Sequence, residues 1–106
     1  MEKKFTHLHL HTPFSLLDGF TRIDKVIEKA KSLGMDSIAI TDHGVMFGVI
    51  DFYKQAKKNG IKPIIGCELY TSARSYKDKE TIDRKSGHII LLAKNNIGYQ
   101  NIIKFI

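Results

Sequence analysis

The chain has 106 residues, enough for one small domain, and a chain of that length buries only about two thirds of its unfolded surface on folding. With 42% hydrophobic and 26% charged residues, and neither a low-complexity tract nor an internal repeat, the composition is that of an ordinary globular protein and disorder is not the default expectation. No apolar run approaches the roughly 18–20 residues that span a bilayer and no signal-peptide core opens the chain, so a cytoplasmic protein is expected, its net charge of +6 suiting an anionic partner such as nucleic acid.

Short apolar runs alternate with helical patterns, which predicts an α/β fold of stacked βα units with parallel strands. Phe5 to Leu10 reads as the first strand. Proline and glycine mark residues 12–19 (TPFSLLDG) as a loop long enough to carry function. Thr21 and Asp24 have the spacing of a capping box, and Ile23, Val26, Ile27, Ala30 and Leu33 recur at helical spacing up to a stop at Gly34. Ser37 to Thr41 is a short buried strand that leads into Asp42-His43-Gly44.

A second helix is expected from about 48 to 59, with Val49, Phe52, Tyr53 and Ala56 on one face and a stop at Gly60. Its Lys54, Lys57 and Lys58 read as a solvated face. The third strand runs from Lys62 to Cys67, with Pro63 tolerable at its start. Cys67, the single cysteine, rules out an internal disulfide and reads as a small buried hydrophobe. Residues 74–87 are strongly polar and read as either an exposed loop or a mobile insertion. His88 to Ala93 is the fourth strand, and a last helix capped by Asn96 carries Tyr99, Ile102, Ile103 and Ile106 on one face. The chain stops inside that apolar stripe. A fragment of a longer protein, prone to self-association through its sheet edge and last helix, is therefore expected.

Five histidines occur, and His7, His9 and His11 alternate along the first strand. Side chains two apart on a strand share a face, so His9 and His11 can converge on one cation. Asp18 follows strand one, His43 follows strand two and Glu68 follows strand three. In parallel βα folds these ends form one rim, and imidazole with carboxylate suits zinc, manganese or iron. Asp18 reads equally as a turn residue beside Gly19, and Asp42 as either support for a neighbouring ligand or a cap of the next turn. His7, one layer deeper, reads as packing or as hydrogen-bonding support for the ligands. His88 begins its strand rather than ending it, and by pattern alone is structural.

The segments HLHLHTPFSLLDG (7–19), AITDHG (39–44), GVIDFYKQAKKNGIKPIIGCELY (48–70) and HIILLAKNNIGYQNIIK (88–104) resemble the PHP (polymerase and histidinol phosphatase) domain carried at the amino end of bacterial DNA polymerase III alpha subunits. The resemblance covers nearly the whole chain except 74–87. It implies a distorted seven-stranded βα (TIM-like) barrel, of which residues 1–106 supply about the first half. It also implies that His9, His11, Asp18, His43, Glu68 and His88 are ligands of a cluster of up to three divalent metals. The family completes that cluster with a later cysteine or histidine and an Asp-x-His pair beyond residue 106. A partly filled or empty cluster and an inactive isolated fragment are thus expected.

The implied chemistry is metal-dependent phosphoester hydrolysis, as 3′ to 5′ exonuclease proofreading or pyrophosphate removal, within a DNA-directed DNA polymerase. No catalytic group is expected beyond the metal ligands themselves. Implied partners are DNA, other subunits of the polymerase holoenzyme and a separate proofreading exonuclease subunit. Two rivals remain: a non-catalytic docking module for that exonuclease, and a stand-alone phosphatase acting on histidinol phosphate.

Overall fold

The computed structural model describes residues 4–15, 19–81 and 86–106. In chain order the elements are α1 (Ile23–Ser32), β1 (Ser37–Ile40), α2 (Val49–Lys58), β2 (Lys62–Ser72), β3 (Ser86–Leu92) and α3 (Asn96–Phe105). None of the helices among the described residues is long and apolar enough to cross a membrane.

The helical periodicity of the sequence becomes the core. Ile23, Ile27 and Ala30 of α1 and Val49, Phe52 and Ala56 of α2 pack with Ile38, Ile40 and Ile61 into one cluster, and Tyr99 of α3 lies against its margin. Lys54, Lys57 and Lys58 face solvent on the opposite side of α2. In α3 Ile102 is buried, whereas Ile103, Phe105 and the C-cap residue Ile106 are exposed.

Helix starts differ from expectation. Arg22, not Thr21, occupies the N-cap of α1 without a side-chain cap, and Asp24 instead takes the Arg22 guanidinium at 3.0 Å. Asn95 rather than Asn96 caps α3, its Oδ1 accepting from the Gly98 amide at 3.0 Å.

The sheet has the order β1-β2-β3. β1 and β2 pair in parallel from Ser37↔Lys62 to Ile40↔Ile65, as βα units require. The expectation of parallel strands throughout fails at β3, which runs antiparallel to β2 from Gly66↔Leu92 to Ser72↔Ser86. A parallel return needs a crossover, usually helical. Residues 73–81, the described part of this connection, contain no α-helix, and β2 continues five residues past Cys67 to form a hairpin with β3.

The first predicted strand is also reduced. Residues 5–10 run extended beside β1, with a single bridge, His7↔Ile38. The Ala39 amide bonds the His7 carbonyl, but the Thr41 amide bonds Leu10 instead of His9, so the register slips by one. The Leu10 amide turns to the Thr41 hydroxyl at 2.8 Å, which ends the regular ladder.

Candidate metal centre

Glu68 is the centre of the site. Past the end of β1, the Glu68 amide donates to the Asp42 carbonyl and the Gly44 amide donates to the Glu68 carbonyl, both at 2.9 Å. These bonds form an isolated parallel bridge between His43 and Glu68 and set the two side chains next to one another. The Glu68 side chain is only 7% exposed.

Four imidazoles surround its carboxylate. Oε2 lies 2.6 Å from His11 Nε2, 3.1 Å from His43 Nδ1 and 3.4 Å from His9 Nε2. Oε1 lies 3.7 Å from His88 Nδ1. The two Nε2 atoms of His9 and His11 are 3.2 Å apart, and the rings of His11 and His43 approach to 4.1 Å between centroids.

The antiparallel hairpin explains why His88 belongs here. Because β3 runs against β2, the beginning of β3 lies where β2 ends, and His88 pairs with Tyr70, two residues beyond Glu68. A residue that opens its strand therefore reaches the same rim as residues that close theirs. The Tyr70 ring sits 5.0 Å from His88 and 6.2 Å from His43.

The donors form two groups, His9–His11–Glu68 and His43–Glu68–His88, each with ligand atoms within 4.8 Å of one another. Metal–nitrogen bonds of about 2.0–2.1 Å in tetrahedral geometry separate two donors on one ion by roughly 3.3 Å. The 3.2 and 3.4 Å separations of the first group and the 3.1 Å His43–Glu68 separation of the second match that edge, while His11 and Glu68 are closer, at a hydrogen-bonded 2.6 Å; the donor set and spacing fit a divalent cation. Glu68 alone is common to both groups.

Burial pushes the Glu68 carboxyl up, but the hydrogen bond with His11 and the charges of His43, His9 and His11 outweigh it and hold the carboxyl below its ordinary value. A depressed carboxyl contributes stability above its unfolded value, and the contribution is lost as pH falls through the folded one.

Of the remaining predicted residues, His7 stands apart: it is exposed, and its ring contact is with Phe5 at 6.2 Å. Asp18 lies outside the described residues. Asp42 is buried, and its carboxylate bonds the Thr12 amide and hydroxyl, each at 2.6 Å, and the Ser15 hydroxyl at 2.7 Å. Thr12 and Ser15 were legible only as loop residues; their one signal was a pair of hydroxyls flanking the Pro13 turn three residues apart.

Cys67 points away from the centre. Its thiol is fully buried and donates to the Asp42 carbonyl at 3.3 Å. Burial, and then the charge of Asp42, raise its pKa against the opposing backbone hydrogen bonds. Alkylation of the native protein is expected to be at least about tenfold slower than in denaturant, as for a buried structural thiol. Equal labelling rates in the two conditions would show the thiol to be accessible.

A groove of about 470 Å³ between α2, β2 and α3, lined by Tyr53, Pro63, Ile65 and Tyr99 among others, holds none of these donors. Chemistry follows the donor atoms here rather than the volume.

Comparison with known proteins places these residues in context. The PHP domain family matches residues 7–106. The chain is 52% identical over 103 residues to the DNA polymerase III subunit alpha of Borreliella burgdorferi, covering 95% of this chain and 9% of that protein. The corresponding subunit of Helicobacter pylori is 53% identical over 102 residues, with 95% and 8% covered. That of Aquifex aeolicus is 46% identical over 111 residues, with 98% and 10% covered. The chain thus spans about a tenth of the length of these curated relatives.

Among solved structures, an amidohydrolase from Chromobacterium violaceum superposes with a TM-score of 0.65 at 24% identity, covering 93% of this chain and 32% of that one. A proposed metal-dependent phosphoesterase from Bifidobacterium adolescentis gives a TM-score of 0.64 at 21% identity, with the same coverage. At these identities the likeness is one of fold.

Proposed function

This chain belongs to the PHP domain family, and from that premise we propose that its histidine–glutamate cluster holds divalent cations for phosphoester hydrolysis, as the opening portion of the PHP domain of a bacterial DNA polymerase III alpha subunit. The observation that carries the proposal is the gathering of His9, His11, His43 and His88, from three separate parts of the chain, around the single carboxylate of Glu68.

His9 and His11 would hold one cation, His43 and His88 a second, and Glu68 would serve both. Asp18, which matches a family ligand, would add a further carboxylate. Zinc, manganese and iron all suit such mixed imidazole and carboxylate sets. When bound, such cations lower the pKa of water and offset the charge of a phosphoryl group. The protein's part is to fix the imidazoles in place and to keep the Glu68 carboxylate buried and ionised. Histidines at 52% and 46% side-chain exposure, His9 and His88, leave the outer side of the centre open to a phosphate-bearing substrate.

In the parent protein this chemistry would take the form of 3′ to 5′ exonucleolytic proofreading or pyrophosphate removal, with DNA and the other holoenzyme subunits as partners in the cytoplasm. The barrel of the full domain would continue from β1 and β2, with the β2–β3 hairpin as its local departure from parallel order.

The test is release of nucleotides from the labelled 3′ end of a DNA strand by the full-length, manganese-loaded parent. Release is expected, and His9→Ala combined with His11→Ala should reduce it more than about 100-fold, beyond the cost of losing an outer-shell partner, while polymerisation continues. No release by the loaded parent would rule out the exonuclease and leave pyrophosphate removal or a docking role.

A further inference from the structure

Thr12, Ser15 and Asp42 are polar residues exposed by only 0%, 2% and 1%. Side chains at that depth are costly unless hydrogen-bonded, and these three satisfy one another. Asp42 Oδ1 accepts from the Thr12 amide at 2.6 Å and the Ser15 hydroxyl at 2.7 Å, while Oδ2 accepts from the Thr12 hydroxyl at 2.6 Å. Ser15 Oγ in turn accepts from the His43 amide at 3.0 Å.

The bonds join particular places in the chain. Thr12 directly follows His11, and Asp42 directly precedes His43. The clamp therefore ties the backbone beside one imidazole to the backbone beside another, and through Ser15 it grips the amide of His43 itself. Both imidazoles point to one atom, Glu68 Oε2, at 2.6 Å and 3.1 Å. Asp42 thus bonds neither ring; it acts on the spacing of the segments that carry them.

We propose that Thr12, Ser15 and Asp42 are positioning residues of the centre, which set the separation of the His11 and His43 imidazoles and through it the affinity for a divalent cation. This rests on the metal-binding reading of the cluster. Partners of this kind typically govern about 10- to 100-fold in metal affinity, although here they act on the backbone rather than on the ring nitrogens. The two hydroxyls contribute differently: that of Thr12 donates to Asp42 and accepts from the nearby Phe14 amide at 3.3 Å, whereas that of Ser15 joins Asp42 to the His43 amide.

The experiment uses cobalt(II) as the probe. The protein is titrated and its visible absorption bands are followed, with a competing chelator giving the dissociation constant. Ser15→Ala and Thr12→Val are each expected to weaken cobalt binding about 10- to 100-fold and to shift the absorption bands, while Thr12→Ser, which keeps the hydroxyl, binds as the parent does. Circular dichroism of the metal-free proteins checks that each variant is folded. Asp42→Asn removes a charge from a buried network and is the variant most prone to unfold; Ser15→Ala decides the matter without it. A Ser15→Ala protein that melts earlier yet binds cobalt with unchanged affinity and spectrum would overturn the inference, because the clamp would then serve the fold alone. Absence of cobalt binding by the unsubstituted protein would overturn the metal reading itself and this inference with it.

Discussion

Glu68→Gln is expected to remove cations from both donor groups at once, a larger loss than any single histidine replacement produces. The two groups share no other residue, and the carboxylate approaches His11 at 2.6 Å through one oxygen and His88 at 3.7 Å through the other. Glutamine keeps the size of the side chain and one acceptor oxygen but carries no negative charge to offset two cations. Affinity for zinc should fall by more than about 100-fold at both groups, exceeding the loss of an outer-shell partner. His88→Ala should weaken only the group it belongs to. Equilibrium dialysis with metal analysis of the dialysed protein separates these cases. A Glu68→Gln protein that kept both cations with nearly parental affinity would show that the imidazoles suffice and that the carboxylate is incidental.

The second large effect is expected at Gly19, where a Cβ would fall on the Thr12 carbonyl oxygen, with the Thr12 carbonyl carbon at 2.6 Å and that of His11 at 3.2 Å. The obstacle is backbone, which cannot swing aside as the end of a side chain would. It is also the backbone next to the Thr12 donors of Asp42. Gly19→Ala should therefore cost about 1–3 kcal/mol or more, the range for an overpacked site. In a domain of this size that lowers the melting temperature by on the order of 10 °C. Gly98→Ala is the control: its Cβ would meet Ala93 at ordinary contact distances of 3.4 Å and beyond, and it lies in α3. Loss of glycine there should stabilise by roughly 0.5–1 kcal/mol. Thermal unfolding of the two variants beside the parent reads both signs. A Gly19→Ala protein as stable as the parent would mean that the 12–19 loop yields freely.

These positions show what the sequence could disclose. The cores of α1 and α2 were legible, since Ile23, Ile27 and Ala30, and Val49, Phe52 and Ala56, recur at the helical period and face one cluster. The convergence of His9, His11, His43 and Glu68 followed from strand ends sharing a rim. His88 could not be placed from pattern alone, because its meaning depends on the direction of β3, which follows a polar connection whose described part, residues 73–81, contains no α-helix. The first strand is shorter than its alternation implies, because nothing in that alternation shows that a side chain, the Thr41 hydroxyl, takes the Leu10 amide and spoils the register. Asn95 and Asn96 are chemically equal candidates for one cap, and only backbone conformation chooses between them. The Asp42 clamp was half visible. The acid could be singled out by its place before His43, but its partners are small hydroxyl residues in a loop, whose role appears only when the loop is folded against β1.

The central claim is that imidazoles from separate segments share cations through Glu68. Crystals of the protein grown with manganese, measured on both sides of the manganese absorption edge, test it most directly. The account predicts anomalous peaks within coordination distance of Glu68, one also bonded to His9 and His11 and one to His43 and His88. Well-ordered crystals showing manganese elsewhere on the surface, and none beside Glu68, would contradict it.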